Sequence, residues 1–240
     1  MHFLPFVSTL VTFAFAVAVL LRFARKGGMH LLMWGIGLVL YGLGTLSEAW
    51  LFFDYHPLLL KLWYLTGALL TSAWLGQGTL FLLLRRRGVA PVLTAVLALL
   101  SLFAAFWVFN LPLTGAAYDL ARPVSAQYGA VLVRDTLTRS VLLPIFTGYG
   151  TLALVGGALY SAYIFWRKRV LPNRVIGNVL IAAGALSPAL GGILVTRGLA
   201  DVLFVSELLG AIVMFVGFLA ATSALMIVRE STPVPAQATE

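Results

Sequence analysis

Two carboxylates, Glu48 and Glu207, stand inside long apolar runs, and no other residues of this sequence have a stronger claim to chemistry. A charged side chain at the centre of a membrane-spanning helix costs about 2.5–3.5 kcal/mol on the insertion scale, so it answers to a partner, to water or to a proton. Each lies about five residues from the outer end of its run, which is roughly 8 Å deep at 1.5 Å per residue. Lys61, Arg139 and Arg197 fall at the edge of that layer, and Tyr64 and Tyr149 could add hydroxyls to it. The expectation is an outward-facing polar pocket built from Glu48, Glu207, Lys61, Tyr64, Arg139 and Arg197. The alternative is a set of separate ion pairs fixing helix ends.

Other chemistry finds little support. There is no HExxH, GxSxG, P-loop or full GxGxxG, and Gly76-Gln77-Gly78 and Gly42-Leu43-Gly44 are fragments inside apolar runs. His2, His30 and His56 are too far apart for a metal site, and the absence of cysteine excludes disulfides, thiolate ligands and cysteine nucleophiles. No catalytic residue, metal or cofactor is expected. Gln77, Tyr160, Tyr163 and Asn178 make a milder polar cluster, expected to hydrogen-bond between helices. Pro188 removes one helical N–H donor in the middle of its run and is expected to bend it.

The elements that must position these groups are helices in lipid. Of 240 residues 61% are hydrophobic and only 10% charged, against about 25% charged in a soluble domain. Apolar runs long enough to cross roughly 30 Å of hydrocarbon cover 3–23, 30–53, 58–84, 89–110, 140–166, 175–197 and 202–228. The fold class expected is all-α: a polytopic membrane protein, a seven-transmembrane-helix bundle over 1–230 with a disordered cytoplasmic tail over 231–240. The first run precedes its basic cluster, the reverse of a signal peptide, and reads as a retained helix.

A net charge of +8 does not point to nucleic acid here, because the basic residues cluster between the runs. Eleven of the sixteen Lys and Arg, among them Arg22, Arg25, Lys26, Arg85 to Arg87, Arg167 to Arg169, Arg174 and Arg229, fall on one side. The positive-inside rule then places the N-terminus outside and the C-terminus in the cytoplasm of a bacterial inner membrane. Residues 111–139 form the one long outer connection, carrying Tyr118, Asp119, Arg122, Gln127, Tyr128, Arg134 and Asp135, and could cover the bundle as a lid.

Leu4-Pro5 opens the first run and Leu143-Pro144 the fifth, Arg25-Lys26 and Arg167-Lys168 close them, and Arg85 and Arg229 end the third and seventh. The near-constant offsets suggest a 3+1+3 parallel repeat. Gly177, Gly184, Gly191 and Gly198, then Gly210, Gly217 and Ala224, recur at heptad spacing, and Gly35, Gly37, Gly42 and Gly44 line the second run. Such seams let backbones approach, which matters in lipid because apolar burial does not drive association there. The sixth and seventh helices are expected to be the closest pair.

Seven helices with an outer N-terminus resemble a microbial rhodopsin, yet the lysines are Lys26, Lys61 and Lys168, so none in the seventh run could hold retinal. The three-one-three division is similar to the SWEET and PQ-loop sugar transporters, without their Pro-Gln pair. The stretch Leu152 to Arg169, the run Pro172 to Ala182, Ser206 to Gly210, Glu48 and Tyr64 to Ala68 resemble a family of uncharacterised bacterial membrane proteins. That resemblance implies membership without an activity.

The function expected is non-enzymatic: a sensor or receptor-like protein that binds a small or amphipathic ligand in the outer pocket. A small-solute or lipid transporter is the alternative, and a structural subunit of a membrane complex the second. Partners expected are membrane lipids, a small amphipathic ligand and a protein at the basic cytoplasmic face.

Overall fold

A computed structural model describes residues 3–84, 88–133, 135–169, 171–195, 197–199 and 201–222 of the chain. The tail, His2, Arg85 to Arg87, Arg134 and Arg229 lie outside the described residues. Seven helices are long and apolar enough to cross a membrane: α1 (Leu4–Lys26), α2 (Met29–Trp50), α3 (Pro57–Leu83), α4 (Val89–Asn110), α5 (Leu137–Arg167), α6 (Pro172–Val195) and α7 (Asp201–Thr222). They lie within a few residues of the apolar runs. No strand forms among the described residues, where the only β pairing is an isolated bridge between Leu113 and Leu132.

Local chemistry sets the turns. Pro5 stands in the first turn of α1, where its missing N–H would have had no helical acceptor. The other end of α1 closes on Gly27 at φ 67°, whose N–H donates to the Phe23 carbonyl at 2.7 Å. Before α3, the His56 imidazole accepts the Leu58 N–H at 3.3 Å and Pro57 begins the helix. Three stretches widen to i→i+5 bonding: Tyr64–Leu70 in α3, Leu137–Leu142 and Leu152–Gly156 in α5.

The helices make a ring in the order α1, α2, α3, α5, α6, α7 and back to α1, with α4 outside it against α3 and the start of α5. The interface of α6 with α7 is extensive, as the glycine spacing predicts. A Cβ on Gly184 would sit 2.7 Å from the Gly210 carbonyl oxygen, and one on Gly177 2.6 Å from that of Gly217. Gly198 is not part of this seam: it follows α6 at φ 86°, with open space around it, and serves the turn. Ala224 lies outside the described residues.

The packing of α2 on α3 repeats that of α6 on α7. A Cβ on Gly44 would meet the Gly67 Cα at 2.9 Å, and one on Gly37 the Leu75 backbone nitrogen at 2.9 Å. Set beside each other, IGLVLYGLGTLSEAW (Ile36 to Trp50) and IGNVLIAAGALSPAL (Ile176 to Leu190) align without a gap. This places Gly37 with Gly177, Gly44 with Gly184 and Ser47 with Ser187; likewise Leu65-Thr66-Gly67-Ala68 matches Leu208-Leu209-Gly210-Ala211. The ring order maps onto itself when α1, α2 and α3 exchange with α5, α6 and α7.

The core divides in two. One part, with Phe15, Trp34, Leu38, Leu154, Ile181 and Met214, fills the ring. The other, with Leu60, Trp63, Leu69, Val108 and Phe146, joins α3, α4 and α5 to the long connection. That connection carries a two-turn helix, Val124–Val131. It is pinned by Gln127, whose amide donates to the Asp119 and Arg122 carbonyls and accepts the Asp119 N–H.

A buried acid pair and a basic cavity

Glu48 of α2 and Glu207 of α7 meet. Their carboxyl groups lie within hydrogen-bonding reach of each other, although their helices belong to different three-helix units. Glu48 is 1% exposed. Neither Glu48 oxygen, nor Oε2 of Glu207, receives a donor from elsewhere among the described residues. One turn deeper, the Tyr41 hydroxyl donates to the Glu207 backbone carbonyl at 2.9 Å and ties the same two helices.

The face of α1 that looks at α7 adds two hydroxyls. Phe15 stacks on Phe215 of α7 with centroids 4.8 Å apart, and Arg22 donates to the Thr222 carbonyl at 3.3 Å. Ser8 and Thr12 continue that stripe upward at helical spacing and so come level with Glu207 and Ala211. Both are fully buried, and neither hydroxyl oxygen has a hydrogen-bond partner among the described residues. Thr9, on the adjoining face, donates to the Thr45 hydroxyl at 3.0 Å.

Above the pair lies the connection, with Tyr118 stacked on Tyr55 at 4.6 Å. Burial, then the Glu48 charge, push the Tyr118 phenol well above its ordinary value and keep it a neutral hydroxyl. Below the pair the ring is filled by aromatic side chains: Phe15, Trp34, Phe215 and Phe218 form one cluster with centroid separations of 4.8 to 6.3 Å.

The remaining residues of the expected pocket stand elsewhere. Tyr64 and Arg139 share a cavity of about 400 Å³ under the connection, with Tyr128, Ser125 and Asp135. Lys61 donates to the Phe109 carbonyl of α4 at 2.9 Å, and Arg197 is exposed beyond the end of α6. The milder cluster does not assemble. Gln77 donates to Thr94 and to the Ala90 carbonyl and accepts from the Tyr149 hydroxyl, while Tyr160 and Tyr163 are exposed and Asn178 bonds within its own helix. Tyr149 therefore serves Gln77 and not the acid layer.

At the opposite end of the ring is a cavity of about 690 Å³. All six ring helices line it, including Arg22 and Lys26 of α1, His30 and Trp34 of α2, Thr79 of α3, Phe165 of α5, Arg174 of α6 and Phe218 of α7. The Trp34 indole donates to the Thr79 hydroxyl at 3.3 Å, and the Arg174 guanidinium lies 5.4 Å from the Phe165 ring centroid. In the sequence these cations read as topology signals alone. Their convergence depends on helix rotation, which spacing along one run does not reveal.

Among the described residues no group of three or more His, Cys, Asp or Glu is placed to hold a metal ion. Compared with known proteins, the chain matches no family model, no curated protein and no solved structure. The likeness that stands is one of architecture, a bundle of seven helices able to span a membrane.

Proposed function

We propose that the protein is a carrier for a small amphipathic anion, held here with its cavity open at the basic end. The observation that carries this reading is the cavity that all six ring helices share, dead-ended at the aromatic cluster. Its volume falls in the range of about 300–1,000 Å³ that suits small ligands. Arg22, Lys26 and Arg174 supply cations at the mouth, while Trp34, Phe165 and Phe218 supply apolar walls. A solute with an anionic head and an apolar or aromatic body satisfies both.

A cavity between two repeated three-helix units, closed at one end, is the arrangement that rocking of one unit against the other converts into alternating access. The positive-inside rule assigns the open end to the cytoplasm of an inner membrane. Lipids surround the bundle, and the basic face is where a protein partner would dock. The acid pair serves poorly as an outer ligand pocket, because its oxygens are buried against each other. The reading is of a carrier, a non-enzymatic role.

Saturable binding and counterflow of naphthalene-2-sulfonate, a permanently charged aromatic anion that leaks slowly, test the proposal in nanodiscs and proteoliposomes. Arg174→Gln and Arg22→Gln should each weaken binding by roughly tenfold, the effect of losing about 1.4 kcal/mol from a charge-assisted contact. Absence of saturable binding, or wild-type affinity in both variants, would refute it.

A further inference from the structure

Taking the two-unit carrier reading as its premise, we infer that Glu48 and Glu207 form a proton-binding site, in which one proton shared between the carboxyls latches the three-helix units together at the loop end. A carboxyl and a carboxylate in contact make a hydrogen bond only when one of them carries a proton. Two carboxylates at that distance, with no cation, would repel across a dry interface. Neither carboxyl pairs with a basic side chain among the described residues.

The groups around the pair fit this assignment. The titratable neighbours are Tyr41 from α2 and Tyr118 from the connection, both phenols. From α3 Lys61 turns to the Phe109 carbonyl, and from α6 Arg197 stands exposed. α1 presents Ser8 and Thr12, fully buried hydroxyls with no partner among the described residues. When the latch parts, these are the donors at hand for the freed carboxylates.

The cycle balances in protons and charge. Loss of one H⁺ to the solution at the loop end turns the acid–carboxylate pair into two carboxylates, which separate and open that end. Uptake of one H⁺ restores the bond and closes it. The aromatic cluster around Phe15 and Trp34 insulates the pair from the basic cavity while the latch is shut.

Two readouts on the full-length protein in nanodiscs test the site. Infrared difference spectra should contain a protonated-carboxyl C=O band that shifts in D₂O and is lost in both Glu48→Gln and Glu207→Gln. The chain has no cysteine, so Ala211→Cys, one turn below Glu207, reports opening directly. Measured relative to Asp119→Cys, an exposed reference whose rate follows thiolate formation alone, labelling by a water-soluble maleimide should become at least tenfold faster as pH is raised, and should keep a slow, pH-independent relative rate once Glu48→Gln supplies a permanent amide donor. Absence of the band, its survival in both variants, a pH-independent relative rate in the otherwise wild-type protein, or a relative rate that follows Na⁺ at fixed pH would overturn the proton site. Failure of naphthalene-2-sulfonate to bind would remove the carrier reading alone, since neither readout uses that anion.

Discussion

Asp135 shows how one carboxylate can be satisfied where Glu48 is not. Its Oδ2 accepts the Trp107 indole N–H and the Thr138 backbone N–H, each at 2.9 Å. Burial alone would raise its pKa, but the bonds from Thr138 and Trp107 outweigh it and hold the carboxyl below its ordinary value of 3.8. A group whose pKa is lower in the closed connection than in the open one holds it closed above that value, and the hold is lost as pH falls through the lower one. Limited proteolysis of the connection should therefore be slow at neutral pH and accelerate below about pH 4. Asp135→Ala should be cut several-fold faster at neutral pH, with little further change on acidification. By contrast, Glu48 and Glu207 were legible in the sequence because burying a charge in lipid is expensive at any rotation. Their supposed cations were not, because depth says nothing about direction. Lys61 sits at the right level and points to α4.

Helix faces explain most of what the sequence could not say. The apolar runs placed the seven spans, but the i→i+5 stretches in α3 and α5, YLTGALL, LTRSVL and LALVG, share no composition that sets them apart and left no mark. Each inserts about one residue and rotates the helix beyond it by about 100°, so that a face read off regular 3.6-residue spacing no longer holds past it. Glycines were more informative, because small residues at heptad spacing imply contact whatever the rotation. They also yield a sharp comparison. Gly184→Ala puts a methyl 2.7 Å from backbone that has no flexible end to move, whereas Gly148→Ala meets nothing within 4 Å. Thermal unfolding in detergent should show the first destabilised by about 1–3 kcal/mol and the second unchanged or slightly stabilised. Gly44→Ala should behave like Gly184→Ala, since the same contact recurs between α2 and α3. A harmless Gly44→Ala beside a damaging Gly184→Ala would mean that the two units do not share a packing scheme.

The two units are alike in their seams and different where chemistry collects. Gly37 and Gly44 correspond to Gly177 and Gly184, but the partner of Glu48 is Pro188 and the partner of Glu207 is Tyr64. The acid pair is thus made from non-equivalent positions of a near-symmetric frame, and so it joins the units at one end only. At the other end the cations on α1 and α6 border a cavity. This polarity fixes a prediction that needs no ligand. Because the chain lacks cysteine, single substitutions can be labelled without background: Ser161→Cys lines the basic cavity, Asp119→Cys marks the connection, and Leu38→Cys sits in the dry layer between, where Leu38 is 0% exposed. An impermeant maleimide should reach Asp119→Cys in intact cells and Ser161→Cys only in inverted membranes, and should react with Leu38→Cys in neither. Labelling of Ser161→Cys from the Asp119 side would reverse the topology that the basic clusters imply. Ready labelling of Leu38→Cys would mean that the ring is an open channel, a pore with no dry layer for two units to alternate across.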